Sequence, residues 1–172
     1  MKRLVFGLLL ASLLLAFPGN IDAKKKTTRK KAQTENTAGL TALERKVVGK
    51  HLLTLQWISW KNYGSVTIKK EADGTLSCKG EQLAVNCRDS EQECKDNGDY
   101  VKLDGTIEIV DKDHLVFTGQ IREKIFHINK GQEVLRDGTF NFVTKENRHY
   151  WRMQEMTNPA DECVDYIDIF FK

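Results

Sequence analysis

The apolar positions of this chain change period once. Thr41 and Glu44 stand at capping-box spacing, Leu40, Leu43 and Val47 share one helical face, and Gly49 supplies a stop, which predicts a helix of about two turns. From residue 51 onwards apolar and polar residues alternate, and this period of 2 runs to the C-terminus. Eight strands are predicted, at about 51–60, 64–71, 75–82, 100–110, 114–128, 132–143, 148–156 and 163–171. Turn chemistry separates them at Asp73-Gly74, Asp111-Lys112-Asp113, Asn129-Lys130-Gly131 and Lys145-Glu146-Asn147. Both prolines, Pro18 and Pro159, fall outside the strands, as continuous ladders require.

Each strand carries one apolar face. The in-phase sets include His51, Leu53, Leu55 and Trp57; Val101, Leu103, Ile107 and Ile109; Leu115, Phe117, Ile121 and Ile125; Val134, Phe140 and Phe142; then Trp151 with Met153, and Ile167 with Ile169 and Phe171. Short connections make consecutive strands antiparallel neighbours. The fold predicted is all-β, an eight-stranded antiparallel up-and-down barrel with a short N-terminal helix at one end, because closure buries the apolar face and removes the sheet edges. A two-sheet sandwich is the alternative. With the helix at the floor, the 61–63, 83–99, 129–131 and 157–162 connections gather at the opposite mouth, and 72–74, 111–113 and 144–147 lie at the floor.

A short helix followed by Gly49-Lys50-His51 at the head of eight meandering strands resembles the layout of the lipocalin-like (calycin) barrels over residues 40–172. The resemblance implies a floor closed by the helix and a Gly-x-Trp motif, with an open mouth for apolar ligands at the other end. His51 stands where that family has Trp. The run Leu55-Gln56-Trp57-Ile58-Ser59-Trp60 also resembles the first strand of small exported proteins of unknown function from Bacteroidetes-type bacteria, a likeness that implies no activity.

The N-terminus adds a destination. Lys2 and Arg3 precede an apolar run, Leu4–Phe17, which Pro18 and Gly19 break before Ile21-Asp22-Ala23, so residues 1–23 read as a cleavable secretory signal peptide. The run is too short to span a bilayer, for which about 20 apolar residues are needed. The mature chain is therefore expected to be secreted or periplasmic. Residues 24–39 are polar and lack periodicity, which predicts a disordered basic tail ahead of the 40–172 domain. Lys24, Lys25, Lys26, Arg29, Lys30 and Lys31 are either a solvated spacer or a contact to an anionic surface. The formal charge of +3 resides in this region, since beyond residue 31 there are 19 basic against 23 acidic residues. A mildly acidic body argues against nucleic acid as partner, and a monomer is expected.

Export changes how Cys78, Cys87, Cys94 and Cys163 read. An even number without Cys-x-x-Cys spacing points to a disulfide framework rather than a metal site. Three pairings are open, including a bridge from the 83–99 connection to Cys163 that would pin a lid across the mouth, and a local Cys87–Cys94 bridge. The same connection carries Asp89, Glu91, Glu93, Asp96 and Asp99, either a solvated loop or a set of calcium-type oxygens without the EF-hand pattern.

Charge on the inward phase is the remaining chemistry. Glu123 and His127 share a phase with Phe117 and Ile121, Arg136 with Phe140 and Phe142, and a hairpin near Lys130 brings Glu123 and Arg136 together diagonally. They either orient a ligand in an apolar cavity, form an internal ion pair, or turn outward at a bulge. No nucleophile stands at motif spacing from His51, His114, His127 or His149, and no phosphate loop or zinc-protease motif occurs, so neither an enzyme nor a cofactor is expected. The function expected is an exported barrel holding a small apolar molecule or lipid among Trp57, Phe117, Glu123, Ile125, His127, Arg136, Met153 and Ile167. The alternative is a packed barrel acting through its surface and loops, with Trp60, Phe126, Ile128 and Tyr166 as an outward patch.

Overall fold

Thr41 starts the first element. Its hydroxyl accepts from the Glu44 N–H (3.2 Å), and the Glu44 carboxylate accepts from the Thr41 N–H (2.7 Å). This reciprocal cap satisfies two of the donors a helix start leaves open, and helix α1 spans Ala42–Val47. The structure is a computed structural model and describes residues 39–84 and 98–171.

Eight strands follow: β1 Gly49–Leu55, β2 Gly64–Lys70, β3 Leu76–Leu83, β4 Tyr100–Ile109, β5 His114–Lys124, β6 Val134–Val143, β7 Tyr150–Met153 and β8 Ile167–Phe170. They form a closed antiparallel barrel in sequence order, and β1 pairs with β8 from Leu52↔Phe170 to Leu55↔Ile167. Alternation sends Leu53, Leu55, Val66, Ile68, Val101, Leu103, Leu115, Phe117, Ile121, Phe142, Trp151 and Ile169 into the core. Each large apolar side chain so buried contributes about 1.5–3 kcal/mol. The outward faces of β2 to β5 carry Thr67, Lys69, Lys79, Glu81, Lys102, Asp104 and Thr118, with cross-strand ion pairs such as Lys79–Asp104 (2.7 Å). Apolar inside and polar outside is the reverse of a membrane-spanning barrel. Among the described residues no helix is long and apolar enough to cross a membrane.

Glycine bends the long strands. Gly105, Gly119 and Gly138 lie side by side across β4, β5 and β6. A Cβ on Gly105 would sit 2.3 Å from the Thr118 carbonyl oxygen and 2.9 Å from the Phe117 ring, and Gly119 has φ +153°. At Gly105 and Gly119 the absent side chains let neighbouring backbones approach and coil, which helps the sheet close.

Helix α1 packs at the lower end. Val47 is buried, Glu44 pairs with Lys70 (2.7 Å), and the Lys46 ammonium donates to the Lys112 carbonyl (3.0 Å) while lying over the Phe171 ring. His51 joins the helix to the barrel wall. Its Nε2 lies 2.7 Å from the Val47 carbonyl oxygen, its Nδ1 3.2 Å from that of Phe170, and its ring meets Trp151 edge-on. The upper end receives 56–63, 125–133 and 154–166, and the strand ends at Leu83 and Tyr100 face it too.

Several strands stop earlier than their alternation suggests. β1 ends at Leu55 because its carbonyl accepts from the Ile58 N–H (3.0 Å), while the buried Gln82 side chain takes the Leu55 N–H (2.6 Å). β5 ends at Lys124, and the Asp99 carboxylate captures the Phe126 N–H (3.0 Å). β7 and β8 are four residues each because 154–166 leaves the wall and folds on itself through the Thr157↔Val164 bridge.

Candidate functional site at the barrel mouth

Beneath the mouth the core becomes polar. Glu123 on β5 and Arg136 on β6 are diagonal neighbours, since Glu123 faces Val134 and Ile121 faces Arg136. Both side chains point inward and are buried, with Arg136 Nε 3.8 Å from Glu123 Oε1. The register runs unbroken along both strands, so no bulge turns them out.

The fold-back at 154–166 completes the cluster. Asp165 and Asn158 are fully buried. Arg136 donates to Asp165 (3.2 Å) and to the carbonyls of Glu155 (3.0 Å) and Thr157 (2.5 Å). Asn158 Nδ2 donates to Glu123 (2.7 Å) and to Asp165 (3.0 Å), and the Trp57 indole N–H donates to Asp165 (2.9 Å). Two carboxylates thus share one guanidinium. Burial, with the adjacent Asp165 carboxylate adding to it, pushes the Glu123 carboxyl up to about 8, against the opposing pull of Arg136. Glu123 Oε2 and Arg136 Nε have no hydrogen-bond partner.

The residues expected to hold a ligand divide into groups. Trp57, Glu123, Arg136 and Met153 do meet around this cluster, with the Met153 sulfur 3.8 Å from Arg136 Nη1. Phe117, Ile125 and Ile167 are buried in the core, Phe117 against the rings of Phe140 and Phe142. His127 does not continue the inward phase. The strand ends three residues before it, and it sits exposed with its ring edge-on to Trp57 and Phe126. Ile128, expected to point outward, turns back and is buried for the same reason. Asp165 and Asn158 were missed in the sequence reading. Asp165 stands on the same parity as Ile167 and Ile169, a usable signal; Asn158 precedes Pro159 in a connection and gives none.

Of the four cysteines expected to form a framework, two are described, and both are free thiols. Cys78 points inward from β3, buried and free, with its thiol pushed up to about 12 by burial; Cys163 is a half-buried free thiol beside Asp165. Cys87 and Cys94 lie outside the described residues, as do Asp89, Glu91, Glu93 and Asp96. Asp99 turns inward, where burial raises its carboxyl above the usual range. Among the described residues no group of three or more His, Cys, Asp or Glu is placed to hold a metal ion.

The outer surface adds clefts and apolar side chains. Trp60, Tyr63, Leu83, Phe126, Leu135 and Val164 are all more than 40 % exposed, and all lie on mouth connections or the strand ends that meet them. A cleft of about 380 Å³ opens beside β6, lined by Leu135, Asp137, Phe140, Glu155, Thr157 and Pro159 together with Arg136.

A family model for PM1083 matches residues 25–171. The chain belongs to the PM1083 family. An uncharacterized member from Pasteurella multocida (strain Pm70) is 40% identical over 132 residues, covering 77% of this chain and 78% of that protein. The family match includes most of the basic segment 24–31 as well as the barrel. No solved structure matches.

Proposed function

We propose that this PM1083-family protein is exported by its N-terminal segment and works as a binding protein whose packed barrel is a rigid scaffold for a surface at the mouth. The observation that carries the reading is the state of the interior. The side chains available to line a cavity are packed against one another, and the inward charges are bonded to each other and to the fold-back at 154–166. Six of the nine exposed large apolar side chains among the described residues lie at the same end, where connections vary most freely around a fixed scaffold.

A second reading keeps the small apolar ligand of the lipocalin-like resemblance. Glu123 Oε2 and Arg136 Nε favour it, because two buried polar atoms without partners are what a displaced ligand group would leave. Native mass spectrometry of the mature protein, purified from the exported fraction, separates the readings. The expected mass is that of the chain from Lys24 with nothing bound. A lipid or other apolar molecule released on denaturation would overturn the packed-scaffold reading, and a chain retaining residues 1–23 in the cytoplasm would overturn export.

A further inference from the structure

The wall of the barrel is closed unevenly. β5 and β6 pair over ten residues, His114↔Val143 to Glu123↔Val134, whereas β6 and β7 pair only at Phe142↔Met153 and Val143↔Arg152. Which way each β6 backbone group points follows from two bonds. The Thr144 N–H donates to the Asp113 carbonyl (2.8 Å), so even-numbered residues face β5; the Gln154 N–H donates to the Asn141 carbonyl (2.8 Å), so odd-numbered residues face β7. Beyond that point the ladder stops. The Glu155 carboxylate takes the Asn141 N–H (2.9 Å) in place of a strand, and the Arg136 guanidinium spans the widening gap to the Glu155 and Thr157 carbonyls. Among the described residues, the N–H and C=O groups of Leu135, Asp137 and Thr139, directed away from β5, meet no partner, and Leu135 and Asp137 line the cleft beside β6.

We propose that this free edge of β6 accepts an extended, basic segment of a partner polypeptide as an added strand. A free ladder edge offers main-chain bonds in register, and the side chains of an added strand would alternate between an outward face carrying Leu135, Asp137 and the Glu155 carboxylate and an inward face carrying Phe140. The Arg136 guanidinium also lines this cleft, but it is buried and its charge is balanced by Asp165 (3.2 Å). A second copy of this chain fits worse. Two β6 edges paired with each other would bring Asp137 and Glu155 of both copies together, and like charges across a ladder repel. The proposal rests on the surface-binding reading and names the kind of partner it involves.

Two measurements on the mature chain test it. Hydrogen exchange comes first and needs no partner: the amides of Leu135, Asp137 and Thr139 are expected to exchange at least about a hundredfold faster than those of Arg136 and Phe140. Equal protection would mean the edge is not free, and would overturn the proposal while leaving the surface-binding reading intact. The second uses an octapeptide of alternating Lys and Val as probe, with its alternating Glu and Val counterpart and a backbone N-methylated Lys/Val version. The Lys/Val peptide is expected to bind saturably and to shift the three edge amides. Asp137→Pro removes one edge N–H while leaving the bonds to β5, and is expected to weaken binding at least about tenfold, as Pro is tolerated at an edge. Asp137→Lys should weaken it likewise. Equal binding of the N-methylated peptide, or no binding of the Lys/Val peptide, would overturn strand addition. A wild-type dimer dissociated by Asp137→Pro would overturn the basic partner in favour of a second copy.

Discussion

Glu123 is the residue whose chemistry is set most by its surroundings. Burial and the Asp165 carboxylate raise its carboxyl to about 8, so the folded protein holds a proton there that the unfolded chain releases near the ordinary value of 4.5. The sign follows: between those two values the native state binds more protons, and stability falls as pH rises. The slope approaches about 1.4 kcal/mol per pH unit for one such proton. Asp99 acts in the same direction over its own range, since burial raises it too. The expected outcome is a melting temperature that declines from pH 5 to pH 8.5, with a flatter profile for Glu123→Gln, which keeps a neutral group of the same shape. A wild-type profile flat over this range would contradict the raised carboxyl. A neutral Glu123 also suits the cluster, because one guanidinium then faces one carboxylate.

At the scale of elements, the glycines of β4 to β6 decide how the sheet curves. Gly105 is in contact with the β5 backbone on the side where a side chain would stand, whereas a Cβ on Gly138 would meet nothing within 4 Å. Gly105→Ala is expected to cost about 2–4 kcal/mol, because backbone has to move, and Gly138→Ala to change stability by no more than about 0.5 kcal/mol. Denaturant melts of the two variants check this, and equal effects would mean that the close approach at Gly105 is not what shapes the barrel. The strand ends follow a different rule. Each early stop has a side chain that takes a backbone group away from the ladder: Gln82 at Leu55, Asp99 at Phe126, Glu155 at Asn141. Alternation continues past all three points, so the strands read too long there.

At the scale of the molecule, closure through β1 and β8 joins the first strand to the last. No ladder within the barrel needs a residue before Gly49, and α1 contributes its own cap from Thr41. A fragment of residues 39–172 is therefore expected to show a β-type far-UV spectrum and a single cooperative melt. A fragment that stays unfolded would show that residues 1–38 are needed to close the barrel.

The existence and order of the eight strands, the capped helix before them and the gathering of long connections at one end were all legible from alternation and turn chemistry. These are local quantities: a period of 2 with one apolar face leaves an antiparallel chain few ways to hide that face except closure. The diagonal meeting of Glu123 and Arg136 was legible too, because hairpin register carries phase from one strand to the next. Contacts made by folding back were not. Asp165 and Asn158 reach Arg136 only because 154–166 leaves the wall, His127 loses its inward phase because β5 ends three residues earlier, and Cys78 stays free because its strand turns it into the core. The open edge of β6 is of the same kind. Its residues alternate as regularly as any in the barrel, and only the path of a distant segment determines that half of the strand has no neighbour on that side among the described residues.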